Sequence, residues 1–103
     1  TAITGAGNHT LNPYNATFIK LGSTSADPTL VGISGGADGR VVIVYNPNDS
    51  YGVVIDHDSS NESTAANRIY TMTAADVNIS ARGSAQFIYD SGASRWILFS
   101  VNP

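Results

Sequence analysis

Apolar residues come in short runs, separated by turn formers, along the whole chain. The clearest run is Val41-Val42-Ile43-Val44-Tyr45, entered through Asp38-Gly39-Arg40 and stopped by Asn46-Pro47. β-Branched side chains favour extended backbone, and five residues match a strand while falling short of a normal helix. In a two-residue period, Val41, Ile43 and Tyr45 share one face and Val42 and Val44 the other. Both faces are apolar. The run therefore predicts a central strand covered on both sides, by a second sheet or by a partner subunit.

The same reading predicts strands at Ala16–Leu21, Thr29–Ile33, Tyr51–Ile55, Arg68–Met72, Asp76–Ile79, Ala85–Tyr89 and Arg95–Val101. Gly22–Pro28, Ser34–Gly39 and Asn46–Ser50 are rich in turn formers. Asp90–Ser94 has the length of a hairpin loop, and 41–45 with 51–55 is expected to form a second hairpin. Asp56–Asn67 is the longest non-strand stretch, with a short helical turn around Ser63–Ala66. No tandem repeat is visible. About eight short strands, with turns every eight to twelve residues or so, predict an all-β fold. The expected architecture is a compact β-sandwich or small barrel of mainly antiparallel strands. Residues 1–15 read as a flexible or docking N-terminal arm, and 16–103 as a single β domain.

Composition sharpens this picture. Only 13% of the 103 residues are charged, about half the usual share. A surface poor in charge and rich in Ser, Thr, Asn and Gly suits an extracellular or virion protein, or a protomer covered by copies of itself. The net charge is −3, and Lys20, Arg40, Arg68, Arg82 and Arg95 are spread singly, so no nucleic-acid partner is predicted. Cysteine is absent, which removes disulfides, thiolate metal sites and thiol nucleophiles. No run approaches membrane-spanning length, so no membrane insertion is expected. No signal peptide is read. The start at Thr1, without methionine, predicts processing or excision from a longer chain.

Candidate chemistry is sparse. Asp56, Asp58 and Glu62 are hard oxygen ligands of the kind calcium takes. Their spacing lacks the glycine and the distal glutamate of a calcium loop, so the expectation is a solvated loop with Asp56 capping the strand end, and no metal. Asp56 and Asp58 also form a carboxylate pair of the kind glycosidases use, but no second wall of a cleft is evident. His57 is a candidate base, yet the other histidine is His9, in the arm, and no nucleophile setting accompanies either. No catalytic residue, cofactor or enzymatic activity is predicted. Gly35-Gly36-Ala37-Asp38-Gly39 lacks Gly-Lys-Ser/Thr and precedes a strand, so it reads as turn geometry and not as a phosphate loop.

Aromatic side chains are the remaining candidates for ligand or interface contacts: Trp96, Tyr51, Tyr89 and Tyr14, with Tyr70 in the same pool. Trp96 is expected to be mostly buried on the last strand, flanked by Tyr89 across the turn or by the stem of Arg68 or Arg82. Asn8, Asn15, Asn48, Asn61 and Asn78 each open an Asn-x-Ser/Thr triplet, a chance pattern in a chain of this composition unless it passes a eukaryotic secretory route.

From Leu30 onward the chain resembles a small β-domain of tail-fibre, head-fibre and capsid-decoration proteins of tailed bacteriophages. The matching pieces are Leu30-Val31-Gly32-Ile33, Asp38-Gly39-Arg40 before Ile43-Val44-Tyr45-Asn46, and Ile55-x-His57-x-Ser59. They continue with Ala66-Asn67-Arg68-Ile69, Gly83-Ser84-Ala85-Gln86-Phe87-Ile88-Tyr89-Asp90 and Arg95-Trp96. The resemblance implies a non-enzymatic part of the virion exterior, a homotrimer seated on capsid or tail proteins of the same particle. Asn67-Arg68 and Tyr89-Asp90 would be structural. Residues 1–29 lie outside the match, and a specificity for a host-surface glycan or receptor would sit there.

Overall fold

The computed structural model describes residues 7–21 and 27–102. The first six residues of the expected arm and the core of the turn expected at 22–28 lie outside the described residues. Among the described residues nine strands form: β1 (Gly7–Leu11), β2 (Phe18–Lys20), β3 (Pro28–Ile33), β4 (Val41–Tyr45), β5 (Val53–Ile55), β6 (Ile69–Tyr70), β7 (Val77–Ile79), β8 (Ser84–Asp90) and β9 (Arg95–Asn102). A single 3-10 turn, Ala65–Asn67, lies in the long polar segment, close to the helical turn expected there.

The chain does not fold as a sandwich or small barrel of mainly antiparallel strands. It coils as a β-solenoid of about three turns, with parallel and antiparallel ladders mixed. From β1 to β8 successive strands alternate between two sheets, ordered β1-β3-β5-β7 and β2-β4-β8-β9-β6. In the first sheet, and between β2 and β4 in the second, a strand lies beside the one two places earlier, whereas β8 takes the place beside β4 and β6 lies at the far edge beside β9. Gly7 lies beside Pro28, Phe18 beside Ile43 and Thr29 beside Val54, all in parallel. Offsets of roughly 20–25 residues fall at the short end of the solenoid range. β5–β7, β4–β8 and β8–β9 are antiparallel, and β6–β9 is parallel.

The expected hairpin of 41–45 with 51–55 does not form, because β4 and β5 belong to different sheets. Asn46 is the physical reason. It is fully buried, and its amide donates to the carbonyls of Tyr51 (2.8 Å) and Ser80 (3.2 Å) while its Oδ1 accepts from Asn48 N–H. These bonds turn the chain out of the second sheet and deliver it to the first. The hairpin of β8 and β9 does form, with Tyr89 opposite Trp96. β4 is an interior strand between β2 and β8, as its sequence predicts. Gly7–Leu11, within the segment read as an arm, is a parallel strand against β3, and Leu11 is buried.

The core lies between the two sheets. Leu30, Ile33, Val53, Ile55 and Ile79 of the first meet Val42, Val44, Phe87, Trp96 and Leu98 of the second, all essentially without solvent contact. Trp96 ties them together, since its indole N–H donates to the Ile33 carbonyl at 2.7 Å.

Candidate functional site

The polar segment after β5 gathers most of the candidate chemistry, but its three carboxylates face three different partners. Asp58 pairs with Arg95 at 2.9 Å, and that hydrogen bond, ahead of all else, raises the Arg95 guanidinium further above its ordinary value. Arg95 also lies 5.2 Å over the Tyr70 ring, and His57 stacks on the same ring. Glu62 is buried and turns the other way. It accepts a hydrogen bond from the Thr10 hydroxyl on β1 and another from Thr64 N–H at 3.0 Å. Asp56 stands beside Asp76. Burial first, and then the Asp76 charge and hydrogen bond, push the Asp56 carboxyl above its usual range, against a lowering hydrogen bond with Ser59. Among the described residues no three His, Cys, Asp or Glu side chains converge in a metal-holding group.

His57 is fixed from both ends. Its backbone N–H donates to Asp76 Oδ1 (3.2 Å), and its Nδ1 accepts Thr71 N–H (3.0 Å). The ring joins the strand after the long segment to the strand before it. His9 lies on β1, next to the Thr10 whose hydroxyl donates to Glu62. The glycine-rich turn before β4 does packing work: a Cβ on Gly36 would overlap the Tyr89 ring at 2.2 Å. Only glycine lets the turn lie flat on that ring.

The aromatic candidates part company. Trp96 is fully buried, and Tyr89 packs edge-on against it at 5.2 Å, itself nearly buried. Tyr51 is half-buried. Tyr14 is 72% exposed, on a short turn closed by Asn12 Oδ1, which accepts Tyr14 N–H. Arg40 braces that turn by donating to the carbonyls of Tyr14, Ala16 and Gly35.

The outward face of the second sheet is the broadest candidate surface, and only its β4 and β9 parts are marked in the sequence. The outward row Val41–Ile88–Ile97–Tyr70 crosses four strands. The next row runs Phe18–Ile43–Gln86–Ser100, and the last Lys20–Tyr45–Ser84–Asn102. Phe18 stacks with Tyr45 at 6.3 Å. Phe18 and Phe99 are 54% and 60% exposed, the latter at the irregularity between Leu98 and Ser100 where β9 slips against β8. The signal was the lack of alternation in β4 and in Ile97–Val101. What could not be read was that β2, β8 and β9 set their apolar residues in the same rows. No protein-family model matches this chain, and no match is found among curated proteins.

Proposed function

We propose that the chain is a structural module of the exterior of a tailed-bacteriophage particle, a capsid decoration or a piece of a tail or head fibre. It is a homotrimer there, in contact with capsid or tail proteins of the same particle, and performs no catalysis. The observation that carries this reading is the outward face of the second sheet, apolar along the row Val41–Ile88–Ile97–Tyr70 and at Phe18, Ile43 and Tyr45, in a chain with only 13% charged residues. A particle of closed symmetry uses such faces in subunit contacts. The likeness of residues 30–103 to small β-domains of such particles points the same way. An antibody against the folded chain tests it: labelling of intact particles on their outside is the expected result. Labelling confined to particle-free protein would overturn the reading.

Tyr14 favours a second reading, a module that binds a carbohydrate or receptor on the host surface. An exposed ring on a braced turn is a stacking surface for a sugar. Binding on a glycan array that is lost in Tyr14→Ala, with the melting temperature kept, would support this second role. An array without binding removes it.

A further inference from the structure

The two sheets of this molecule present opposite exteriors. The outward row of the first sheet is Asn8–Thr29–Val54–Asn78, three polar residues and one valine, as a surface bathed in water should be. In the second sheet the row Val41–Ile88–Ile97–Tyr70 has no charged or amide residue at all, and Phe18, Ile43 and Tyr45 extend it over β2 and β4, while Gln86, Ser100, Ser84 and Asn102 form the polar border on β8 and β9. Strands that are apolar on both sides belong to sheets covered on both sides. The core covers the inner side of this sheet. We infer that a second copy of this chain covers the outer side, through the patch formed by Phe18, Val41, Ile43, Ile88, Ile97 and Phe99.

Charge and area both fit a copy as the occupant. The chain as a whole carries −3, which would set copies against each other on a random surface. On this face Lys20 and Asp90 cancel, and Arg95 is balanced by Asp58. A neighbouring copy therefore meets no excess of like charge on this face. A nucleic acid would need an excess of positive charge here, and the face has none. Five strands about 4.8 Å apart, carrying three or four outward rows some 6.7 Å apart, cover roughly 500 Å² on each copy. A contact that covers this face on one copy and an equal area of the neighbouring copy buries on the order of 1,000 Å², the lower limit for a specific interface. The uncovered alternative is a long apolar patch on an exposed sheet, which soluble chains avoid.

This inference rests on the proposed self-assembling module, and the experiment separates the two. Light scattering after size exclusion is run on the wild type and on Phe18→Asp, Ile43→Lys and Val54→Lys at micromolar protein. The wild type is expected at a multiple of 10.7 kDa. Phe18→Asp and Ile43→Lys are expected at 10.7 kDa, with circular dichroism unchanged and the dissociation constant raised at least about a hundredfold. Val54→Lys, on the polar exterior, keeps the oligomer. Phe18 is on an edge strand and half-exposed, so Phe18→Asp stays decisive if Ile43→Lys does not fold. A wild-type oligomer that survives Phe18→Asp overturns this interface while the module reading stands. A wild-type monomer overturns both, and a monomer that sediments with neutral lipid vesicles reassigns the face to a membrane surface.

Discussion

The outward sides of the two sheets differ although the inward sides are one core. In the first sheet a lone outward valine, Val54, sits between Thr29 and Asn78. In the second, Val41, Ile88 and Ile97 sit side by side. A single exposed apolar residue is ordinary surface, whereas a contiguous row of them is information about what lies against it. The first sheet has cover of its own chain as well: Glu62, on the long polar segment, reaches back to Thr10 of β1. The difference teaches that one strand's pattern says little about its exterior. The row across the sheet says much more.

The core that both sheets share is the first place to strike. Trp96→Ala removes the largest buried side chain and leaves the Ile33 carbonyl without its donor. Truncation of a large aromatic in a core costs roughly 3–5 kcal/mol. Trp96→Phe keeps most of the volume and loses the hydrogen bond, so about 1–3 kcal/mol is expected from the unmet buried acceptor. Urea titration measures both. A loss under about 1 kcal/mol for Trp96→Ala would mean that the sheets are not tied at this point.

Next comes the cover of the first sheet. Gly32 has Glu62 directly over it: a Cβ there would lie 2.5 Å from the carboxylate and 3.0 Å from the Asn67 carbonyl. The backbone neighbour cannot swing aside as a side chain does, so Gly32→Ala is expected to cost about 1–3 kcal/mol by overpacking. Adding Glu62→Ala should return part of that loss, a coupling that a thermal double-mutant cycle reads directly. Additive losses would show that the polar segment is not seated on β3.

Much of the local structure was legible. The runs at 29–33, 41–45, 85–89 and 95–101 state strands plainly, and Asp90–Ser94 states its hairpin. The coil was not, for two reasons. Strand lengths and turn spacing are the same whether a strand pairs with its neighbour or with the strand two places on. The solenoid turns share no sequence repeat either, since Thr-Leu-Val-Gly-Ile of β3 stacks on Gly-Asn-His-Thr-Leu of β1. β1 escaped notice because its register needs only one buried anchor at its end, Leu11. Asn46 looked like a plain strand stop and is in fact the buried hinge between sheets. Among site residues, Asp56, Asp58 and Glu62 are near in sequence, but their three separate partners, Asp76, Arg95 and Thr10, come from distant strands and loops. That dispersal is a property of the coil and leaves no local mark.

A milder test sets the two exteriors side by side. Val54→Thr, in the polar row, should change stability by no more than about 0.5 kcal/mol, as surface changes do. Ile43→Thr should cost about 1 kcal/mol more if a copy covers its row, as the inferred interface requires. Such coverage would also make the wild-type melting temperature rise with protein concentration, since association stabilises the folded state by mass action. Differential scanning fluorimetry over a hundredfold range of concentration checks this. Equal, concentration-independent melting of both variants would erase the distinction between the faces.

The smallest effect belongs to the charged end of the first sheet, where Asp56 follows β5 and Asp76 precedes β7. The Asp56 carboxyl sits above its ordinary value of 3.8, first because of burial and then because of Asp76. The folded state therefore holds this proton more tightly than the unfolded chain. The stability so gained is fully present below the unfolded value and is lost as pH rises through the raised folded value. Above that raised value the ionised Asp56 carboxylate is repelled by the Asp76 charge. Asp76→Asn removes one charge but keeps the Oδ1 that accepts His57 N–H. It should raise the melting temperature by about 1–3 °C at pH 7, the size of a few tenths of a kcal/mol at an exposed pair. The gain should shrink as pH falls through the raised Asp56 value, which lies above 3.8, because there the wild-type carboxyl takes up its proton and the repulsion is gone. Melting curves of both chains from pH 3.5 to 8 measure the difference. A gain that stays constant over that range would show that the substitution acts by something other than the Asp56–Asp76 charge, and a loss at pH 7 would show that the Asp76 carboxylate is held by a partner stronger than the repulsion.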